Sequence, residues 1–344
     1  VATHSIVQDE DQFCVYRSVA SRGTRVLWEL TSACNLKCDF CLVEMKRRHL
    51  PVDAALAIAD ELVAARVDKV LLSGGEPLLY PGAEAIMRRL STSDVLVKLL
   101  TNGTIEHPGV FDLIRASESI EVSLSLPTVD PIDADQIFGQ RDTLAKITAT
   151  IEALPKARLN VICAVSQLNL HAVEQVVDWV AAAGVPCLSL TDIFKDPNSP
   201  ARFREDCRDL RIDDDQRRSL FELVERKRSQ YRGRLALRTT QFVLQPHERC
   251  MAGQTVFYID PGGVVVPCTV TDNRPWRDAV KSMTVREAIA FYRATLSTAP
   301  RSSCSARLGA GDLAGGTAGG TALGTSQPVV WVTRSSRRDG RGPG

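Results

Sequence analysis

The chain has 344 residues, 44% of them apolar and 24% charged, with a formal net charge of +1. That length suits one large domain or two ordinary ones and a core that needs no disulfide staples. The balance excludes a whole-chain charge bias toward nucleic acid or membrane, and no apolar run approaches the ~18 residues of a membrane span.

Residues 1–24 read as an N-terminal extension whose start, Val1 to Glu10, is polar and lacks the apolar stretch of a signal peptide. A cytoplasmic location is expected, where thiols stay reduced, so the ten cysteines read as metal ligands and buried thiols. From residue 25 to 195 short apolar runs alternate with helical patterns. Val26 to Leu30 is a predicted strand that stops just before a cysteine cluster. Val52 to Val67 carries Ala, Leu and Val at helical spacing, and Lys69 to Leu72 is a short buried strand. Helix Gly82 to Leu90, strand Val95 to Leu100, helix Gly109 to Arg115 and strand Ile120 to Leu126 repeat the unit. Thr143 to Leu154 (helix), Leu159 to Val165 (strand), His171 to Ala183 (helix) and Pro186 to Leu190 (strand) complete it. Such alternation implies βαβ units and a parallel sheet. Six repeats fall short of a closed eight-fold barrel and suit a partial (β/α)6 barrel, with the ligand at the C-terminal strand ends.

Residues 196–244 form a polar linker, helical from Asp213 onward. Its basic run (Arg217, Arg218, Arg226, Lys227, Arg228) is a solvated helix face balanced by Asp213 to Asp215, Glu222 and Glu225, and this is preferred over a nucleic-acid patch. Residues 245–304 are expected to form a small second unit, in which Thr255 to Ile259 and Val264 to Val266 flank the turn signal Asp260-Pro261-Gly262-Gly263. Residues 305–344, rich in Gly, Ala, Thr, Ser and Arg, read as disordered or as translation of a shifted frame. On the second reading the true C-terminus carries further ligands, which resequencing the gene end would test.

Three residues separate Cys34 from Cys38 and two separate Cys38 from Cys41. Three thiolates on one tight loop after the first strand suit three irons of a cubane cluster and leave the fourth iron open. A zinc knuckle is the competing reading. It wants a fourth nearby ligand, and His49, eight residues on, has no partner.

The segment Cys34-Asn35-Leu36-Lys37-Cys38-Asp39-Phe40-Cys41 resembles the signature of the radical S-adenosylmethionine superfamily. Gly74-Gly75-Glu76-Pro77 after the second strand is similar to that family's GGEP motif. Thr101-Asn102-Gly103 ends the third strand and Asn169 follows the fifth, as is common there. Ser123-Leu124-Ser125 stands where members often carry Ser-x-Asp, with Ser125 in place of the Asp. The resemblance implies a 4Fe–4S cluster on Cys34, Cys38 and Cys41 whose open iron takes the amino and carboxylate groups of S-adenosylmethionine. It places Gly74, Gly75, Glu76, Pro77, Asn102, Ser123 and Ser125 at the cofactor, with Phe40 beside the adenine or in the core. Gly74 and Gly75, lacking Cβ atoms, also let the backbone approach a ligand closely. One-electron reduction then breaks a carbon–sulfur bond, and a 5′-deoxyadenosyl radical takes hydrogen from the substrate.

Cys250, the turn at Gly263, Cys268 and Cys304 resemble the start of the auxiliary-cluster extension called SPASM, or its shorter form, twitch. They are expected ligands of a second iron–sulfur cluster. A Cys-x-x-Cys is absent there, since position 307 is Arg307, so the cluster has an open site or is lost. Cys14, Cys163, Cys187 and Cys207 are expected to have no metal role.

Residues 1–24 are short for the peptide-binding wing that peptide maturases usually add. A small polar substrate is therefore expected, of sugar, aminocyclitol or nucleoside type, in antibiotic or other secondary metabolism. Decarboxylation of a cytosylglucuronate-type sugar acid and dehydrogenation both fit, and product mass separates them, by a loss of about 44 units against about 2. The alternatives are a peptide-modifying maturase of the same superfamily and a non-catalytic iron–sulfur electron carrier. Asp192, just past the sixth strand, is the one named candidate for an acid or base. An electron donor such as flavodoxin or ferredoxin is the expected partner, with no nucleic acid and no membrane.

Overall fold

The computed structural model describes residues 23–41, 48–193, 210–240, 251–268 and 274–296. Seven strands stand side by side in chain order and run parallel: β1 (Arg25–Thr31), β2 (Lys69–Gly74), β3 (Leu96–Thr101), β4 (Ile120–Ser125), β5 (Leu159–Val165), β6 (Cys187–Asp192) and β7 (Ala236–Thr240). The connections carry α1 (Val52–Ala64), α2 (Ala83–Ser91), α3 (Pro108–Ala116), α4 (Pro131–Phe138), α5 (Thr143–Ala153), α6 (Val173–Ala182) and α7 (Asp214–Gln230). Crossovers between parallel strands are right-handed, so an unbroken strand order sends every helix to the same face. The sheet then curls round its other face as a partial barrel. It stays open, as expected from six repeats: its order is β7-β6-β5-β4-β3-β2-β1 followed by β8 (Val256–Ile259) and β9 (Val265–Val266).

Strand alternation sorts the side chains between these faces. Ile120, Val122 and Leu124 of β4 and Leu159, Val161, Cys163 and Val165 of β5 are fully buried in the core shared with the helices. The intervening positions of β4 (Glu121, Ser123 and Ser125) are polar, as is Asn160 of β5. Ser123 accepts from Asn160 Nδ2 (3.4 Å) and Ser189 donates to Asn160 Oδ1 (3.2 Å), a band across β4, β5 and β6. Nearer the strand starts, Glu121 Oε2 takes Lys69 Nζ at 3.0 Å and Lys98 Nζ at 3.5 Å. Burial, then the charge of Lys69, pulls Lys98 down to about 7, against the opposing pull of Glu121. Thus the helix-facing layer is hydrocarbon and the inner layer carries buried polar and charged groups.

The structure adds α4, β7 and two helices near the C-terminal end of the described residues to the expected set. α4 is capped by Asp130, whose carboxylate accepts from the N–H groups of Ile132 and Asp133, with Pro131 in the first turn and Gly139 left-handed at the end. β7 pairs with β6 from Cys187↔Ala236 to Thr191↔Thr240. The linker helix begins as expected: Asp213 and Gln216 form a reciprocal capping box.

The hairpin at residues 260–263 is present, with Tyr258 opposite Val266 and Ile259 opposite Val265. Asp260 accepts from the N–H groups of Gly262 and Val264 and makes an ion pair with Arg277. Its first strand joins the main sheet: β8 pairs in parallel with β1, from Arg25↔Val256 to Trp28↔Ile259. Tyr258 OH donates to Glu29 across the same seam. α8 (Arg274–Val280) and α9 (Val285–Leu296) cover this edge, where Tyr292 OH donates to the Val265 carbonyl (3.0 Å) and Glu61 of α1 accepts from Val285 N–H (2.6 Å). Among the described residues no helix is long and apolar enough to cross a membrane.

Candidate active site

The cysteine loop leaves β1 at Thr31, and several bonds fix its course. Thr31 Oγ1 accepts from Ala33 N–H (3.0 Å), and Ser32 and Arg48 exchange bonds (Ser32 N to Arg48 O, 2.9 Å; Arg48 N to Ser32 Oγ, 2.8 Å), so the loop closes where it opens. Leu36 is buried and anchors the middle, and Lys37 N–H donates to Phe138 O at the end of α4 (3.0 Å). A turn from Cys41 N–H to Cys38 O (3.1 Å) sets the last two cysteines. All three thiols are half-buried.

Burial raises the Cys34 thiol, and Glu76 and Cys41 add to that, against the Leu36 N–H and the Asn102 amide. Cys38 is pushed up to about 12 by burial and then by the charges of Cys41 and Cys34. The thiols are therefore close enough to oppose one another's ionisation, and three thiolates here need cationic charge among them. No three His, Cys, Asp or Glu side chains among the described residues close on a single-ion site. The fit to an iron–sulfur cluster rests on donor type and placement: three half-exposed thiols on one loop at the C-terminal end of a parallel sheet.

Gly74-Gly75-Glu76-Pro77 ends β2 directly against this loop. Gly75 N–H donates to Thr31 O (2.7 Å) and Glu76 N–H to Ala33 O (2.8 Å). A Cβ on Gly74, whose φ is +148°, would stand 2.2 Å from Thr31 O, and one on Gly75 would stand 2.3 Å from Ala33 O. The missing Cβ atoms thus admit the cysteine loop itself, a requirement in place before any ligand arrives.

Glu76 is 0% exposed, and its carboxylate faces inward onto three donors: Thr101 Oγ1 (2.8 Å), Asn102 N (2.8 Å) and Leu78 N (3.1 Å). Burial raises it to about 7 in spite of those bonds. Pro77 opens the short 3-10 turn that Glu76 caps. Through Glu76, the end of β2 fixes the end of β3. Asn102 in turn reaches the cysteines, with Nδ2 3.0 Å from Asn35 Oδ1 and 3.8 Å from Cys34 Sγ.

Asn35, Thr104 and Gln140 belong to the same network and were absent from the expected set. Asn35 Nδ2 donates to Thr104 Oγ1 (2.8 Å) and Gln140 Oε1 (3.3 Å). The position of Asn35 between two cysteines was the available signal. Gln140 had none, being brought there by the end of α4.

Ser123 lies deep in the inner polar band, whereas Ser125 is half-buried at the strand end and Phe40 is half-buried on the loop. Asn169 is fully buried and clamps neighbouring strand ends. Its Nδ2 donates to Pro127 O (2.8 Å) and Ala164 O (2.9 Å), and its Oδ1 accepts from Ser166 N (2.8 Å). Asp192 ends β6 in register with Val165. Cys163 and Cys187 are buried strand residues, and burial pushes Cys163 up to about 12. Of the expected second set, Cys268 is buried in the core beside β9, while Cys250 and Cys304 lie outside the described residues. Cys14, Cys207 and residues 305–344 lie outside them too.

Residues 28–194 match the family model of the radical SAM superfamily. The chain is 29% identical over 165 residues to the AdoMet-dependent heme synthase of Methanosarcina barkeri, covering 46% of this chain and 47% of that protein. It is 28% identical over 251 residues to the mycofactocin maturase MftC of Mycobacterium tuberculosis, covering 70% and 63%. With the PqqA peptide cyclase of Xanthomonas axonopodis it shares 27% over 259 residues, covering 73% and 69%. The chain thus spans from about half to about two thirds of these relatives' lengths. In fold it is similar to Streptococcus suis SuiB bound to S-adenosylmethionine, with a TM-score of 0.62, 17% identity, and coverage of 80% of this chain and 69% of that one. The chain therefore carries a radical SAM superfamily domain at residues 28–194, a family whose cofactors are a 4Fe–4S cluster and S-adenosylmethionine.

Proposed function

We propose that this chain is a radical SAM enzyme that takes hydrogen from a peptide substrate, with Cys34, Cys38 and Cys41 as the cluster ligands. The observation that carries the enzyme reading is the loop itself: three half-exposed thiols at the C-terminal strand ends, braced by Gly74 to Glu76 and Asn102. When bound, the cluster and S-adenosylmethionine supply a 5′-deoxyadenosyl radical and its hydrogen abstraction. The chain's own residues fix the geometry. Leu36 and Lys37 hold the loop to the core and to α4, and Glu76 ties the ends of β2 and β3 together. The half-buried Ser125 and the edges of Gly74 and Gly75 offer polar contacts for the cofactor's amino, carboxylate and ribose groups.

Peptide substrates are favoured over the small metabolite expected from the sequence because of where the similarity extends. The matches to MftC and the PqqA peptide cyclase run over 251 and 259 residues, longer than the 28–194 core, whereas the heme synthase match stays within 165. A SuiB structure of the same fold holds a precursor peptide. The second reading is the small polar metabolite expected from the sequence. Decarboxylation or dehydrogenation of a sugar acid belongs to that second reading, as do the auxiliary cluster on Cys250, Cys268 and Cys304 and a base at Asp192.

Anaerobic reconstitution, reduction by dithionite and an assay for 5′-deoxyadenosine test the first claim. The unsubstituted chain is expected to release 5′-deoxyadenosine and the Cys34→Ala variant none. Equal yields from both would end the enzyme reading. Hydrogen transfer into 5′-deoxyadenosine from a deuterated precursor peptide, against a deuterated sugar acid, decides the substrate class.

A further inference from the structure

Asn102 is 9% exposed, and each of its side-chain polar atoms is committed. Oδ1 accepts from Thr104 N (2.9 Å) and Thr104 Oγ1 (2.7 Å), and Nδ2 donates to Asn35 Oδ1 (3.0 Å) and toward Cys34 Sγ (3.8 Å). Its backbone N–H is taken by Glu76 Oε2 (2.8 Å). The amide orientation follows from this network, because a flip would set Oδ1 against both Asn35 Oδ1 and the sulfur, and Nδ2 against the Thr104 N–H. Asn102 therefore presents an N–H toward Cys34. Leu36 N–H approaches the same sulfur at 3.4 Å. Sulfur is large and polarisable, so N–H groups at these distances still place positive charge against it.

We propose that Asn102 is a positioning residue for the cluster, whose amide fixes the Cys34 sulfur and raises the cluster's reduction potential. The proposal rests on the reading of Cys34, Cys38 and Cys41 as cluster ligands. Hydrogen bonds to ligand sulfur stabilise the more electron-rich, reduced cluster, so removing one lowers the potential. Glu76 supports this role from beneath: its buried carboxylate holds the Asn102 backbone, leaving the amide to the sulfur. The potential set by Cys34 thus depends on β2 and β3 together, through a path of four hydrogen-bonded groups: Leu78 N–H, Glu76, Asn102 and Cys34.

The test uses the anaerobically reconstituted chain and follows the reduced cluster by electron paramagnetic resonance against applied potential. Asn102→Asp keeps an acceptor for Thr104 and removes the donor to Cys34. Asn102→Leu removes both. At fixed poise, each is expected to lower the reduced-to-oxidised ratio about tenfold, which is 59 mV for a one-electron couple. Ile114→Ala, a truncation of a fully buried α3 residue away from the loop, is expected to titrate like the unsubstituted chain. If both Asn102 variants load the cluster and titrate at the original potential, the proposal is overturned. An equal shift in Ile114→Ala also overturns it, since the effect would then be general loosening of the fold. If neither Asn102 variant keeps iron, loss confined to them supports the positioning contact, and equal loss in Ile114→Ala refutes it. A triple Cys34, Cys38 and Cys41→Ala variant separates the two levels. Persistence of the titrating signal there would place the cluster elsewhere and sink the ligand assignment instead.

Discussion

Gly75→Ala puts the brace between β2 and the cysteine loop to a direct test. An ideal Cβ at this position stands 2.3 Å from Ala33 O, 2.6 Å from Ala33 C and 3.0 Å from Cys34 Cβ. The first distance is about 1 Å short of ordinary C···O contact. Two of those atoms are backbone, so no rotamer change relieves the clash. The loop must move away, and as it does Glu76 N–H loses its bond to the same Ala33 oxygen, 2.8 Å long. Overpacking of this kind costs about 1–3 kcal/mol and the lost bond about 1 more, giving about 2–4 kcal/mol in all. The displacement falls on Ala33, next to the first cysteine. Iron and sulfide per chain after anaerobic reconstitution should therefore drop well below the unsubstituted value, together with the melting temperature. Ile114→Ala provides the comparison. Ile114 is fully buried in α3 away from the loop, and its truncation costs a similar or larger ~2–5 kcal/mol while iron loading should persist. Full iron loading by Gly75→Ala, or equal iron loss by Ile114→Ala, would refute the reasoning.

The inner charges give a pH prediction. Lys98 lies at about 7 in the folded chain against its ordinary 10.5, so the unfolded chain binds more protons between those values and stability should rise with pH across that window. Lys98→Met should flatten that rise in thermal melts and leave the chain as stable or more so at pH 7; a rise of undiminished slope would contradict the assignment. Glu121→Gln, which strands two lysines on the inner face, should instead cost about 3–5 kcal/mol by denaturant titration. Asn169→Asp keeps the acceptor for Ser166 but turns a carboxylate oxygen toward Pro127 O and Ala164 O. It should destabilise by roughly 3 kcal/mol or more, and a melting temperature within a degree or so of the original would show that this clamp is dispensable.

Much of the core layer was legible because its residues obey one periodicity at a time. Ile120 to Leu126 and Leu159 to Val165 carry apolar residues on the helix-facing side of every turn of the pleat, and both runs are strands. β7 was missed for the opposite reason. Its five residues, Ala236 to Thr240, include Arg238 and two threonines, because half of a strand in this barrel faces a polar interior and the strand is too short to show the alternation. α4 was missed despite a full set of local signals, Asp130 before Pro131 and Gly139 after Phe138, because its eight residues make little apolar periodicity. The hairpin was read correctly as a turn, yet nothing local to residues 256–266 encodes that β8 pairs with β1. That partnership depends on a strand more than 200 residues earlier in the chain.

The site divides along the same line, and the division assigns each motif its physical role. Cys34, Cys38 and Cys41 were legible because ligand spacing on one loop is a local property. The function of Gly74 and Gly75 was legible only as a need for missing Cβ atoms; what those atoms would have struck is the carbonyl groups of Thr31 and Ala33. Glu76 reads in sequence as a negative charge near a cofactor, yet its carboxylate is spent on Thr101, Asn102 and Leu78. A motif that looks like a ligand-binding strip is thus first a joint between β1, β2 and β3. The joint explains why three successive strand ends must each carry their own short motif: the cysteine loop is held from β2 through Glu76 N–H and from β3 through the Asn102 amide. Loosening either strand end should therefore release the loop even where every cysteine is intact.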